Sequence, residues 1–267
     1  MNVNLLIQKI NNFVESNSAN FISEKEALNP SVIGLRIFGE PVVAFGDALD
    51  SYFFQLKAPD VVGTHFKLPQ EWLEDARTVI SYFCPFTESV RNSNKKNFAY
   101  PSDEWMHGRI EGEVFLKSLG AHIVGLLKAS GYDALLPGSD KRLSNDIDGN
   151  RYTSNWSERH VAYTCGLGTF SLSGGLITKK GVAGRFGSVV TNWRADEYTL
   201  RDYDGPYEHC SMCGLCVEHC PAGAISLESG KKHPPCSDFL DRVRADRTPY
   251  YGCGKCQIDV PCEDQIP

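Results

Sequence analysis

The spacing of apolar residues over the first 200 positions predicts helices that interleave with strands. Residues 4–14 carry leucine, isoleucine and valine at helical intervals, and residues 105–127 continue such a pattern over a longer stretch. Ser102 or Asp103 is a suitable N-cap for the long helix, and Gly131 is placed to end it. A shorter helix over residues 4–14 and a longer one over residues 105–127 are therefore expected.

Short β-favouring runs lie between these helical patterns. Residues 78–83 read Thr-Val-Ile-Ser-Tyr-Phe, which is typical of a buried strand. Residues 176–178 and 186–191 indicate two further strands. Residues 35–45 alternate around a Gly-Glu-Pro break, which predicts a hairpin.

Residues 154–165 predict a shorter helix that ends at Gly166. Because helices and strands alternate along the chain, a layered fold is favoured over a helix bundle or a β-sandwich. The expected fold class is α+β, with a small cysteine-rich segment at the C-terminal end.

The cysteines mark where that segment begins. The chain has 267 residues and ten cysteines, and eight of the ten lie between positions 210 and 262. Cys84 and Cys165 lie outside this group and are expected to be buried core residues. The change in composition places a domain boundary near Arg201, which gives domains of residues 1–200 and 201–267.

Charge and hydrophobicity narrow the class of protein. A formal charge of −6 argues against general nucleic-acid binding, which needs a basic face. No apolar run approaches the ~20 residues that cross a bilayer, and the N-terminus lacks the pattern of a signal peptide. We therefore expect no membrane association and a cytoplasmic location. Cysteines in such a reducing compartment indicate metal binding or catalysis rather than disulfides.

The first four clustered cysteines have the spacing of bacterial ferredoxins. They read Cys210-x2-Cys213-x2-Cys216-x3-Cys220, followed directly by Pro221. In two-cluster ferredoxins the first three cysteines bind one [4Fe–4S] cluster and the fourth binds the other. Since proline is favoured at the first position of a helix, a helix is expected after Cys220.

The later cysteines complete two sets of four. The first cluster is expected to be held by Cys210, Cys213, Cys216 and Cys262, and the second by Cys220, Cys236, Cys253 and Cys256. The alternative is structural zinc, because CxxC pairs also build four-cysteine zinc sites. Four cysteines within eleven residues favour iron–sulfur clusters.

A glycine-rich turn at residues 166–168 is the second candidate for chemistry. It reads Gly-Leu-Gly after a predicted helix, whereas a dinucleotide fingerprint needs a strand before it and a helix after it. Such a turn lets the backbone approach a bulky ligand closely. A helix C-cap followed by a tight turn explains the same residues without a ligand.

Taken together, these motifs resemble the epoxyqueuosine reductase family. The matching residues are Glu158-Arg159, Ala162, Gly166-Leu167-Gly168, the Leu-Ile-Thr of residues 176–178 and Arg185-Phe186-Gly187-Ser188, followed by the eight-cysteine tail. The tail is also similar to the iron–sulfur end of the related reductive dehalogenases.

The resemblance implies a cobalamin-binding domain of nitroreductase-like fold, followed by a ferredoxin-like domain with two [4Fe–4S] clusters that reduce the cobalt. Reduced cobalt can remove oxygen or halogen from a substrate, while the protein supplies orientation, electrons and a proton. The resemblance places the cofactor near the glycine turn. The expected cofactor contacts are Gly166, Gly168, Thr169 and Ser171.

The chain departs from the family at three positions. The family's aspartate proton donor corresponds to Tyr152, so this tyrosine is the candidate donor and an epoxide substrate is not implied. The usual Gly-Lys-Asn after the glycine turn is replaced by residues 169–173, Thr-Phe-Ser-Leu-Ser. Pro261 lies before the last cysteine rather than after it, which changes the loop and leaves cluster ligation intact.

The expected function is that of an iron–sulfur oxidoreductase. An external donor such as a ferredoxin or flavodoxin feeds the clusters, and a cobalamin reduces a small organic or modified-nucleoside substrate. The alternatives are an electron-transfer or activator protein that reduces a separate corrinoid protein, and a related enzyme that holds flavin.

Overall fold

The computed structural model describes residues 1–148 and 151–267. The helices are α1 (Val3–Ser16), α2 (Ser51–Gln55), α3 (Pro69–Trp72), α4 (Glu88–Lys95), α5 (Asp103–Ala129), α6 (Glu158–Thr164), α7 (Leu215–Glu218) and α8 (His233–Arg247). The strands are β1 (Val42–Asp47), β2 (Thr78–Pro85), β3 (Ala134–Leu135), β4 (Asn145–Asp148), β5 (Arg151–Ser154), β6 (Gly168–Phe170), β7 (Leu176–Thr178), β8 (Gly184–Thr191), β9 (Ile225–Ser226) and β10 (Gly230–Lys231).

The main sheet has four antiparallel strands in the order β1-β2-β8-β3. All eight residues of β2 are buried, because side chains pack on both faces of this inner strand. Its partner β8 runs alongside it from Thr78 opposite Thr191 to Pro85 opposite Gly184. The strands predicted at residues 78–83, 176–178 and 186–191 are confirmed.

Helices α1 and α5 cover one face of the sheet, and both were expected from their apolar spacing. The Ser102 hydroxyl accepts a hydrogen bond from the Trp105 backbone N–H at 3.2 Å, so the predicted N-cap of α5 is confirmed. Gly131 follows the end of the helix with a φ of +83°. Gly112 lets Phe38 pack against the helix backbone, since an added Cβ would lie 2.9 Å from the ring.

The other face of the sheet is covered by an aromatic cluster around Trp156. The Trp156 ring stacks on Phe66 at 5.7 Å and meets Trp72 edge-on at 5.8 Å. Cys165 packs in this cluster and Cys84 in the core on the other face, and neither is more than 1% exposed. The two isolated cysteines are core residues, as expected.

Three local predictions are wrong. Residues 35–45 form no hairpin, because Phe38 bridges Phe86 while β1 pairs with β2. The helix predicted from residue 154 begins at Glu158, since residues 151–154 form a strand. A turn rather than a helix follows Pro221, because Gly223 takes a φ of +56° and the chain enters β9.

The fold is therefore a mixed α and β fold with an antiparallel main sheet and a small C-terminal segment that contains α7, α8, β9 and β10. The nitroreductase-like assignment and the boundary at residue 201 stay predictions. Within the described part of the chain, no helix combines the length and the apolar character needed to cross a bilayer.

Candidate redox site

The eight C-terminal cysteines line two neighbouring cavities. The cavity named here the first cage is lined by Cys210, Cys213, Cys216 and Cys262, and the second cage is lined by Cys220, Cys236, Cys253 and Cys256. Cys256 also borders the first cage. This is the grouping expected from the spacing, and all ten cysteines are free thiols. The ligation of iron by these residues stays a prediction.

Left-handed backbone conformations turn the chain around each cage. Met212 and Gly214 take φ values of 51° and 82° between the cysteines of the first run. Gly254 takes a φ of 67° between Cys253 and Cys256. An added Cβ at Gly254 would lie 1.9 Å from the Trp105 ring, so only glycine fits at this point of the loop.

Buried polar contacts join the second cage to α4. The Lys255 ammonium is fully buried and donates to the backbone and side-chain oxygens of Asn94, both at 2.6 Å. The Asn94 amide in turn donates to the Cys253 carbonyl at 2.9 Å. Arg91 pairs with Glu263 at 2.9 Å beside the last cysteine. The cage loops are therefore held by the N-terminal part of the fold.

Burial opposes the ionisation of four of the cage thiols by raising their pKa, namely those of Cys216, Cys253, Cys256 and Cys262. Burial, with a further contribution from neighbouring cysteines, raises the pKa of Cys216 to about 11 and that of Cys262 to about 12. Iron binds the deprotonated thiolate, so a strongly cationic centre is needed to displace these protons. Four sulfurs around one cavity provide the donor set of an iron–sulfur cluster.

A cavity of about 530 Å3, named here the main cavity, adjoins the second cage. Cys236 in the first turns of α8 lines both, as do Arg109, Arg185 and Lys231. Any molecule in the main cavity therefore lies beside the second cage.

A further cavity of about 540 Å3, named here the adjacent cavity, continues from the main cavity. The two share Tyr152, Arg159, Lys231 and His233 as lining residues. The adjacent cavity extends past Ser171 toward the first cage. Together the two cavities form an extended space along the cysteine cages.

Tyr152, the candidate proton donor, lies where the two cavities meet. It is on β5, its side chain is 39% exposed, and its ring stacks on His233 at 5.6 Å with 15° between the planes. The structure therefore brings Tyr152 to the cavity that borders the second cage. The upstream polar residues Asp146 and Asp148 lie on β4, and their side chains are outside the described part of the chain.

The four predicted cofactor contacts do not lie together. Gly166 and Gly168 line a separate cleft of about 210 Å3. The Thr169 hydroxyl is buried and accepts the His209 backbone N–H at 2.8 Å. Ser171 lines the adjacent cavity, so it is the member of the four that shares a cavity with Tyr152.

The position of Gly168 allows a test of its role. An added Cβ would lie 1.9 Å from the Ile177 carbonyl oxygen, so Gly168→Ala is expected to destabilise the protein by on the order of 3 kcal/mol. Gly125→Ala is the control, because that helical glycine has open space around it and alanine favours helix. Denaturant unfolding of the two variants checks this, and equal stabilities would show that Gly168 is not needed for packing.

Sequence reasoning missed the main acid of the cavity wall. Glu158 lines the main cavity, and one of its carboxylate oxygens accepts the Ser188 hydroxyl at 2.7 Å. Burial raises the pKa of Glu158 to about 8, although the Ser188 hydrogen bond opposes the shift. The family motif contained this residue, but no spacing in the sequence indicated its environment.

Cations between the main cavity and the second cage were also missed. Arg185 pairs with Glu113, while its Nε is buried and has no hydrogen-bond partner among the described residues. Arg109 donates to the Tyr251 hydroxyl at 2.9 Å. Arg109 and Arg185 line both the second cage and the main cavity. Their positive charge favours an anionic cluster in the cage and a polar or anionic group in the cavity.

Sequence comparisons support an iron–sulfur assignment. Residues 206–226 match the family model described as a 4Fe–4S binding domain. A 63-residue stretch is 36% identical to the trichloroethene reductive dehalogenase of Dehalococcoides mccartyi (strain ATCC BAA-2266 / KCTC 15142 / 195), over 24% of this chain and 11% of that protein. The chain thus matches about a tenth of the length of this relative.

Structural comparison covers nearly the whole chain. It superposes on the epoxyqueuosine reductase of Streptococcus thermophilus with a TM-score of 0.53 and 19% identity, over 99% of this chain and 68% of that one. The chain has the epoxyqueuosine reductase fold. A catabolic reductive dehalogenase in complex with 3-bromo-4-hydroxybenzoic acid shares this fold, with a TM-score of 0.52 and 13% identity over 98% of this chain and 36% of that one. The comparisons therefore show this fold over nearly the whole chain and a 4Fe–4S binding segment at residues 206–226.

Proposed function

We propose that this protein is an iron–sulfur reductase in which two [4Fe–4S] clusters pass electrons to a cobalamin, which reduces a small organic or modified-nucleoside substrate. The observation that carries the proposal is the shared wall of the second cage and the main cavity. Cys236 lines both, so an electron that reaches this cage is already beside the cavity.

The two cages suit successive single-electron transfer. Cys213 of the first cage is exposed, which makes this cage the entry point for an external donor such as a ferredoxin or flavodoxin. Cys256 borders both cages, so the clusters would lie side by side. A cytoplasmic location would supply both the donor and the reducing conditions that keep the thiols free.

The continuity of the main and adjacent cavities and the chemistry of their lining support a corrinoid as the ligand. They share lining residues, and their walls include hydrogen-bond donors suited to the amide and phosphate groups of cobalamin, among them the Arg185 Nε, which no described residue satisfies. Arg159, Lys231 and Ser171 are the residues placed to hold it. When bound, the cofactor supplies a strongly reducing, nucleophilic cobalt.

The protein's own contribution to the reaction is orientation and a proton. Tyr152 lines both cavities, and this supports its role as the proton donor to a substrate in the main cavity. The proteins that share this fold are named for the reduction of epoxyqueuosine and for the removal of halogen from organic compounds. A small molecule or a modified nucleoside is the substrate class proposed here.

Anaerobic reconstitution with iron, sulfide and hydroxocobalamin tests the proposal. We expect about eight iron atoms per chain, about one cobalt, and electron paramagnetic resonance signals from both kinds of centre. Iron near eight without cobalt would contradict the cobalamin and favour the electron-transfer or activator function. Stoichiometric zinc in a colourless protein would contradict the redox function altogether, and a yellow extractable chromophore would indicate flavin.

A further inference from the structure

Among the described residues, a chain of hydrogen bonds reaches one of the two oxygens of the Glu158 carboxyl. The Trp156 indole N–H donates to the Ser188 oxygen at 2.9 Å, and the Ser188 hydroxyl donates to Glu158 Oε2 at 2.7 Å. Because Oε2 accepts the hydrogen bond from the Ser188 hydroxyl, a proton on the neutral carboxyl is carried by Oε1. Oε1 lies near Gly138, another residue of the main cavity wall, where an added Cβ would be 3.5 Å away.

Burial favours the neutral form of this carboxyl, although most of the charged side chains that line the cavity are cations. The titratable and charged side chains that line the cavity from the surrounding elements are Tyr82 on β2, Arg109, Glu113 and Lys117 on α5, Tyr152 on β5, Arg159 on α6, Arg185 on β8, Lys231 on β10, and His233 and Cys236 on α8. Arg185 is paired with Glu113, and Arg159 donates to the Gly174 carbonyl. Burial, and beyond it the charge of Glu113, raise the pKa of Glu158 to about 8 against the effect of Ser188, which favours the neutral carboxyl at neutral pH.

A protonated carboxyl in the wall of the main cavity can donate a proton to a substrate bound there. Removal of oxygen from an organic substrate as water breaks C–O bonds and consumes two electrons and two protons. The clusters supply the electrons one at a time from the external donor, and Tyr152 supplies one proton. A second acid is then needed in the same cavity.

We propose that Glu158 is this second acid of the main cavity and gives its proton to the departing oxygen of the substrate. Glu158 is left as a carboxylate and regains a proton from solvent after water leaves. The inference rests on the proposed function.

Glu158→Gln tests the role, because glutamine keeps an oxygen that accepts the Ser188 hydroxyl and removes the transferable proton. Infrared difference spectra of wild type against this variant are expected to show a carboxylic-acid band that disappears as the pH rises through about 8. With titanium(III) citrate as reductant and cyclopentene oxide as probe, we expect the variant to form cyclopentene about 10²–10⁴-fold more slowly, with unchanged iron and cobalt.

The pH profile separates an acid from a structural residue. Wild-type turnover is expected to fall above about pH 8 as Glu158 loses its proton, and Glu158→Gln is expected to lack this fall. Ser188→Ala removes the hydrogen bond that favours the charged carboxyl, so it should move the fall to higher pH. Wild-type protein that fails to bind cobalt would count against the proposed function, whereas wild-type protein that holds iron and cobalt but forms no cyclopentene would count against the deoxygenation on which the role of Glu158 depends. Active wild type with an equally active Glu158→Gln variant, or no carboxylic-acid band at pH 7, would overturn the role of Glu158 alone.

Discussion

Cys236→Ala is expected to lower the iron content from about eight to about four atoms per chain and to stop electrons from reaching the main cavity. Cys236 is the cysteine of the second cage that also lines this cavity. It lies in the first turns of the 15-residue helix α8, where alanine is well tolerated, so the effect should come from lost ligation rather than lost folding. Iron analysis and the yield of reduced cobalt after chemical reduction measure the two effects.

Two further cysteine variants make this result specific. Cys84→Ala removes a fully buried thiol that borders neither cage, and it should leave the iron content unchanged. Cys262→Ala should remove only the first cluster, so a small reductant can still reduce cobalt through the second. Full iron retention in Cys236→Ala, or cobalt reduction at the wild-type rate, would contradict the proposed electron path.

The grouping of the cysteines could be predicted because iron–sulfur ligation is largely local in sequence. The three-residue intervals from Cys210 to Cys216 bring three thiols to one cavity, and Cys220 falls outside it. The four later cysteines then bring each cage to four, since Cys262 joins the first cage and the other three join Cys220 in the second. The long apolar helix α5 and the buried strand β2 were predictable for a similar reason, since each carries its signal within one continuous segment.

The walls of the cavity could not be predicted, because they are made by residues far apart in the chain. The protonation of Glu158 depends on Ser188, 30 residues later, and on Glu113 in α5. The hairpin prediction failed for the same reason, since Phe38 finds its partner in Phe86 rather than in its sequence neighbours. The family resemblance also implied that Gly166 and Gly168 contact a cofactor, whereas these glycines line a separate cleft that Tyr152 does not line.

Tyr152→Phe is expected to slow substrate reduction by about 10²–10⁴-fold while leaving iron, cobalt and stability unchanged. The variant removes only the hydroxyl, and the phenyl ring keeps its stacking on His233. Tyr152→Asp restores the acid type found at this position in the queuosine enzymes and should recover part of the rate.

Tyr198→Phe is the matched control for the loss of a tyrosine hydroxyl. The Tyr198 hydroxyl donates to the Arg77 carbonyl at 3.1 Å, and Tyr198 lines neither the main nor the adjacent cavity. We therefore expect its turnover of cyclopentene oxide to match wild type. Each of the two cavity variants removes one acidic proton. If Tyr152→Phe turns over cyclopentene oxide at the wild-type rate while Glu158→Gln is slow, the reaction depends on the proton of the carboxyl and not on that of the tyrosine.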